Sequence, residues 1–62
     1  MDKWINVNER LPEENVRVLV YIDETLYDYT HIDTDRIKKE KWVRWGKAVT
    51  HWMPLPEPPK GE

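Results

Sequence analysis

Trp42 and Trp45 stand interleaved with Lys41, Arg44 and Lys47, and here residue types and spacing suggest a binding chemistry. Cations alternating with indoles can grip phosphates while the rings stack on bases. Lys38 and Lys39 lie just upstream, so the basic and aromatic segment extends over Arg36 to Lys47. The plainer alternative is that an indole faces the core and the bases are simply solvated. Tyr27 and Tyr29, on a second candidate strand, are further aromatic residues expected to meet a partner.

Catalysis finds little to work with. The chain has no serine and no cysteine, which removes the commonest activated nucleophiles. Thr50 and His51 are neighbours on a candidate strand, so their side chains point to opposite faces and form no local dyad. Two glycines, Gly46 and Gly61, cannot build a phosphate-cradling loop. Asp33-x-Asp35 is like the start of a calcium loop, but Arg36, Ile37 and Lys38 follow where the turn glycine and further oxygen ligands belong. A zinc site needs three or four ligands, and His31 and His51 could reach that only with carboxylates or a second subunit. Each histidine reads instead as a partly buried group hydrogen-bonded to backbone or carboxylate. No enzyme, metal or cofactor is expected.

A chain of 62 residues is one domain, expected over 1–59 with a frayed end at 60–62. Without cysteine it has no disulfide staple, which fits a reducing cytoplasm. With 39% hydrophobic residues the core is lean, and four Trp and three Tyr must supply much of the buried area. No apolar run approaches the roughly 20 residues a membrane span needs, and Met1-Asp2-Lys3-Trp4 is not a signal peptide. Net charge is −2, yet the charges are segregated. Eight acids and two bases lie between Glu9 and Asp35, six bases and one acid between Arg36 and Lys47. Such faces can attract one another across the fold or steer a charged partner.

Val16 to Ile22 is the clearest strand, rich in β-branched residues and apolar on both faces, as central strands are. Asp23-Glu24-Thr25 turns the chain, and Leu26 to Ile32 alternates again, with Tyr27, Tyr29 and His31 on one face, so the two runs read as a hairpin. Trp4-Ile5-Asn6-Val7 is an edge strand or a lid. Asp33 to Lys41 holds one apolar residue, Ile37, and is a short helix or a long loop. Lys41 to Trp45 looks like a third strand, and Gly46-Lys47 turns the chain into a closing strand at Ala48 to Met53. In that strand Val49, His51 and Met53 share one face, and Thr50 and Trp52 the other. Pro54 suits a strand end, and Pro54 to Pro59 favour an extended polyproline course laid against indole rings. Trp4, His51, Trp52, Pro54, Leu55 and Pro56 are the expected structural anchors. The architecture is α+β or mainly β: a small antiparallel sheet of three to four strands with one short helix or long loop and a proline-rich tail.

Trp4-Ile5-x-Val7, Arg10-Leu11-Pro12, Val18-Leu19-Val20-Tyr21 and the string Val49 to Pro59 together resemble a family of small phage and prophage proteins, domain of unknown function 551. These pieces frame nearly the whole chain. The resemblance implies a phage-derived protein in a bacterial cytoplasm and carries no activity, cofactor or catalytic residue with it. The function expected is a non-enzymatic interaction module acting on a host or phage protein. The alternative is a nucleic-acid or nucleotide binder using Lys38, Lys39, Lys41, Trp42, Arg44 and Trp45. Homo-oligomers are compatible with either, and membrane association with neither.

A first prediction rests on the ligand count. Chelator treatment should leave the circular dichroism spectrum and melting midpoint unchanged, because a two-histidine, cysteine-free chain lacks a structural metal site. A large chelator-induced drop in midpoint would show that His31 and His51 are ligands after all.

Overall fold

A computed structural model describes residues 4–24 and 29–56 of the chain. Among these residues six strands run in order: β1 (Ile5–Asn6), β2 (Val18–Glu24), β3 (Tyr29–Asp35), β4 (Ile37–Lys38), β5 (Lys41–Trp42) and β6 (Val49–Pro54). A 3-10 turn at Gly46–Ala48 precedes β6. Four strands form one antiparallel sheet in the order β1-β6-β2-β3, and β4 and β5 form a separate hairpin. The fold is mainly β, and among the described residues there is no α-helix.

β2 is central, as its two-sided apolar character implies, with β3 on one side and β6 on the other. It begins at Val18 rather than Val16. Asn15 has φ +67, Val16 N donates to Glu13 O, and Val16 is left exposed. Val18, Val20 and Ile22 point into a core completed by Ile37, Trp42, Val49 and Trp52. β3 pairs with β2 through Val18↔Asp35 to Glu24↔Tyr29, so the expected hairpin is present with its second strand running further along the chain. Tyr27 lies outside the described residues.

The closing strand departs from simple alternation. Tyr21 pairs with His51 but Ile22 pairs with Val49, so Thr50 is an extra residue in a β-bulge. That insertion turns Val49 to the same side as Trp52, and both are buried in the core, while His51 and Met53 face the other side. Period-two counting without the bulge would put Val49 and Trp52 on opposite faces.

The stretch read as helix or loop, Asp33 to Lys41, is neither. β3 continues through Asp35, and Ile37 and Lys38 pair with Trp42 and Lys41 in a tight hairpin. Its two turn residues, Lys39 and Glu40, have φ +54 and +65, the signature of a type I′ turn built without the usual Asn-Gly. The 13–16 loop supports this hairpin: Asn15 N donates to Ile37 O at 2.8 Å, and Lys39 N donates to the Glu14 carboxylate. The third strand expected over Lys41 to Trp45 is only two residues long, because residues 43–45 turn into the 3-10 segment at Gly46, whose φ is +54.

One side chain explains that turn. Asp35 is 1% exposed, and its carboxylate accepts backbone N–H bonds from Arg36 at 2.7 Å, Arg44 at 3.0 and 3.1 Å, and Trp45 at 3.0 Å. The end of β3 is thereby tied to the segment leaving β5. At the other end of the core the Trp52 indole N–H donates to Arg10 O at 2.9 Å, and the Arg10 guanidinium lies 5.3 Å from the ring centroid. The indole is thus covered from the N-terminal loop. Pro54 ends β6 opposite Val18, and Leu55 and Pro56 are exposed. Residues 57–59 of the expected proline tail, and the end at 60–62, lie outside the described residues.

Hydrogen bonds to a charged group contribute about 1.5–3 kcal/mol each, and an orphaned buried donor costs about as much. Asp35→Ala leaves three N–H groups without their acceptor. It should therefore destabilise the domain by more than about 3 kcal/mol, enough to abolish cooperative melting in so small a domain. Asp35→Asn keeps one acceptor oxygen and should melt between the two. A thermal melt of the alanine variant matching the parent would remove Asp35 from this role.

Candidate functional site

Because β-strand side chains alternate, the face opposite the core carries Leu19, Tyr21 and Asp23 from β2, Thr30, Ile32 and Thr34 from β3, and His51 and Met53 from β6. The β4–β5 hairpin packs on the core side, and the described residues place no strand or helix against this second face. Trp4 leans over it, edge-on to Tyr21 with ring centroids 6.1 Å apart, and Tyr21 meets His51 edge-on at 6.5 Å. The three rings line a shallow recess of about 230 Å³. His51 Nδ1 lies 2.9 Å from Thr50 Oγ1, so the bulge residue helps fix the imidazole. Ile32 is 55% exposed and Trp4 39%. At the far end Arg17 reaches across to Thr34, its guanidinium donating to Thr34 Oγ1 at 3.1 Å.

The basic and aromatic segment is divided by the fold. Lys38, Lys39 and Lys41 are exposed around the β4–β5 turn, but Trp42 is 8% exposed and belongs to the core. Trp45 is half-buried, with His31 edge-on at 4.7 Å and the Arg44 guanidinium 5.8 Å from its centroid. Arg44 also donates to Thr34 O at 3.4 Å and pairs with Asp33 at 3.5 Å. The lysines and the indoles are therefore not presented together. Tyr29 is exposed and stacks at a tilt on His31, 4.8 Å away. Of the anchors, Trp52 is in the core and His51 is half-buried. Trp4, Pro54, Leu55 and Pro56 are exposed. Among the described residues no group of three or more metal-ligating side chains converges. The apolar residues Leu19, Ile32 and Met53 were not anticipated as site residues. The available signal was that β2 is apolar on both faces.

The model of the family described as "Protein of unknown function (DUF551)" matches residues 3–60, almost the full chain. The chain belongs to the DUF551 family. A relative in Salmonella phage P22, an uncharacterised 7.8 kDa protein of the ral-gp17 intergenic region, is 38% identical over 64 residues. That match covers 92% of this chain and 96% of the relative. No solved structure matches the chain. No helix among the described residues is long and apolar enough to cross a membrane.

In this DUF551 chain the charged groups gather beside the open face, along β3. Asp33 accepts the Thr34 N–H at 2.7 Å, and this bond does most to hold its carboxyl below the ordinary carboxylate value. Partial burial opposes the shift, while Arg44 and His31 at 4.0 Å reinforce it. A carboxyl lowered on folding stabilises the fold above its unfolded value, and that contribution disappears as pH falls through the folded value. Acidification below about pH 4 should therefore lower the melting midpoint of the parent more steeply than that of Asp33→Asn. Parallel midpoint-against-pH curves would show that Asp33 contributes nothing to acid sensitivity.

Proposed function

We propose that this protein is a non-enzymatic interaction module that binds a host or phage protein on the open face of its sheet, within the bacterial cytoplasm. The observation that carries the reading is an aromatic and aliphatic surface, Trp4, Leu19, Tyr21, Ile32 and Met53, that no strand or helix of the described residues covers, with the charged Arg17 and Asp23 at its two ends. Protein interfaces enrich aromatic residues and Met at their centres and deplete charge there. Trp4 and Tyr21, already held edge to edge, present rigid contact area at little further entropic cost. The similarity to a phage P22 protein supports a phage or host partner.

Nucleic-acid binding is the second reading, favoured by the exposed lysines at 38, 39 and 41 around one hairpin turn. Against it, Trp42 offers a base no free ring face.

The two readings separate in an affinity capture from host lysate, with and without nuclease, using the parent chain, Trp4→Ala and the double variant Lys38→Glu/Lys41→Glu. A specific protein should survive nuclease and bind the lysine variant normally. Its retention by Trp4→Ala should fall at least tenfold, the scale of an interface hot spot above about 1.4 kcal/mol. Recovery of nucleic acid that tracks the lysines and ignores Trp4 would put the second reading first.

A further inference from the structure

β3 is an edge strand of the main sheet, and its two ends are treated differently. At Thr34 both outward backbone groups are occupied: the N–H donates to Asp33 Oδ1 and the carbonyl accepts from Arg44. That pattern shows that Thr34 turns its backbone away from β2. The alternation of an antiparallel ladder then makes Thr30 and Ile32 outward-facing too, while His31 and Asp33 bond to β2. Among the described residues nothing occupies the outward N–H and C=O of Thr30 and Ile32. Capping by Arg44 and Asp33 is the kind of device that protects an edge from pairing, and it stops where those two residues begin. The same strand bears the two most exposed large hydrophobic side chains of the described residues, Ile32 at 55% and Tyr29 at 49%.

The geometry points to a second copy of this chain as the occupant of the edge, adding its own β3 antiparallel about a two-fold axis at His31. In that register His31 faces His31 of the second copy as a non-hydrogen-bonded pair. Thr30 faces Ile32 on either side, and all four free pairs of outward groups are used. Tyr29 lies opposite Asp33, a phenol donor against a carboxylate acceptor, and this happens twice. A register centred on Ile32 would instead set Thr34 against Thr30 and displace the Arg44 and Asp33 caps. The strand is thus complementary to itself in the register centred on His31, and the pairing reaches both exposed side chains. Two four-stranded sheets would join into one of eight, with their open faces continuous.

The chain contains no cysteine, which makes the register directly testable. Sedimentation of the full chain from micromolar to millimolar concentration should reveal a dimer at twice the chain mass. Non-hydrogen-bonded antiparallel pairs have Cα atoms about 4.5 Å apart, within the range a disulfide spans. His31→Cys should therefore cross-link to a covalent dimer on mild oxidation. Tyr29→Cys should not, since four residues of strand put the two copies about 13 Å apart. Thr30→Pro removes an outward N–H without touching the β2 ladder, so it should yield a folded monomer. A parent that stays monomeric throughout, or a dimer in which Tyr29→Cys cross-links in preference to His31→Cys, overturns the inference. So does a dimer that persists in folded Thr30→Pro.

Discussion

The Asp35 carboxylate is the point on which the rest of the architecture depends. A carboxylate at 1% exposure would be costly if left bare, and here it is surrounded by backbone donors that themselves need an acceptor. Each side of that exchange removes a penalty from the other. The result fixes where β3 ends and how the chain leaves β5, and it brings Ile37 and Trp42 over Val18, Val20 and Ile22. The hairpin that roofs the core has only two residues in each strand. Its own pairing could not hold it in place, and Asp35 together with the Asn15 and Glu14 contacts does so.

A small roof has a further result, which is that the strands and turns of the described residues cover one face of the sheet. Among the described residues seven buried hydrophobic residues make up the core, all on one side of the main sheet or on the segments packed against it. The other side keeps Leu19, Tyr21, Met53 and Ile32 with Trp4 leaning over them. Arg44 serves both layers: its backbone N–H meets the buried carboxylate of Asp35, while its side chain guards the end of the β3 edge.

Much of the sheet was legible in the sequence. β-branched residues on both faces of Val18 to Ile22 marked a central strand, and its hairpin partner followed from the next alternating run. What was not legible depended on tertiary acceptors. Asp33 to Lys41 carries charges at helical spacing, and nothing local reveals that Asp35 will be buried by N–H groups from Arg44 and Trp45, nine and ten residues away. Lys39 and Glu40 lack turn chemistry, so their positive φ values could not be read from residue type. The bulge at Thr50 shows only when β6 is laid beside β2. The basic and indole segment looked like one binding stripe because its residues are adjacent in the chain, whereas the fold sends Trp42 inward and uses Arg44 as a clasp. Family membership, by contrast, was visible in the strings at either end of the chain.

The position of β6 between β1 and β2 also orders events in time. Among the described strands β1 pairs only with β6, which follows every other strand of the sheet in the chain. During synthesis the β2–β3 hairpin has its partner within a few residues and can close early. The segment around Trp4 and Ile5 must wait as an unattached overhang until Val49 to Pro54 emerges. Until then β2 has a bare flank as well, and an interloping strand could settle there. Of the described strands, the one earliest in the chain is the last to gain its place in the sheet.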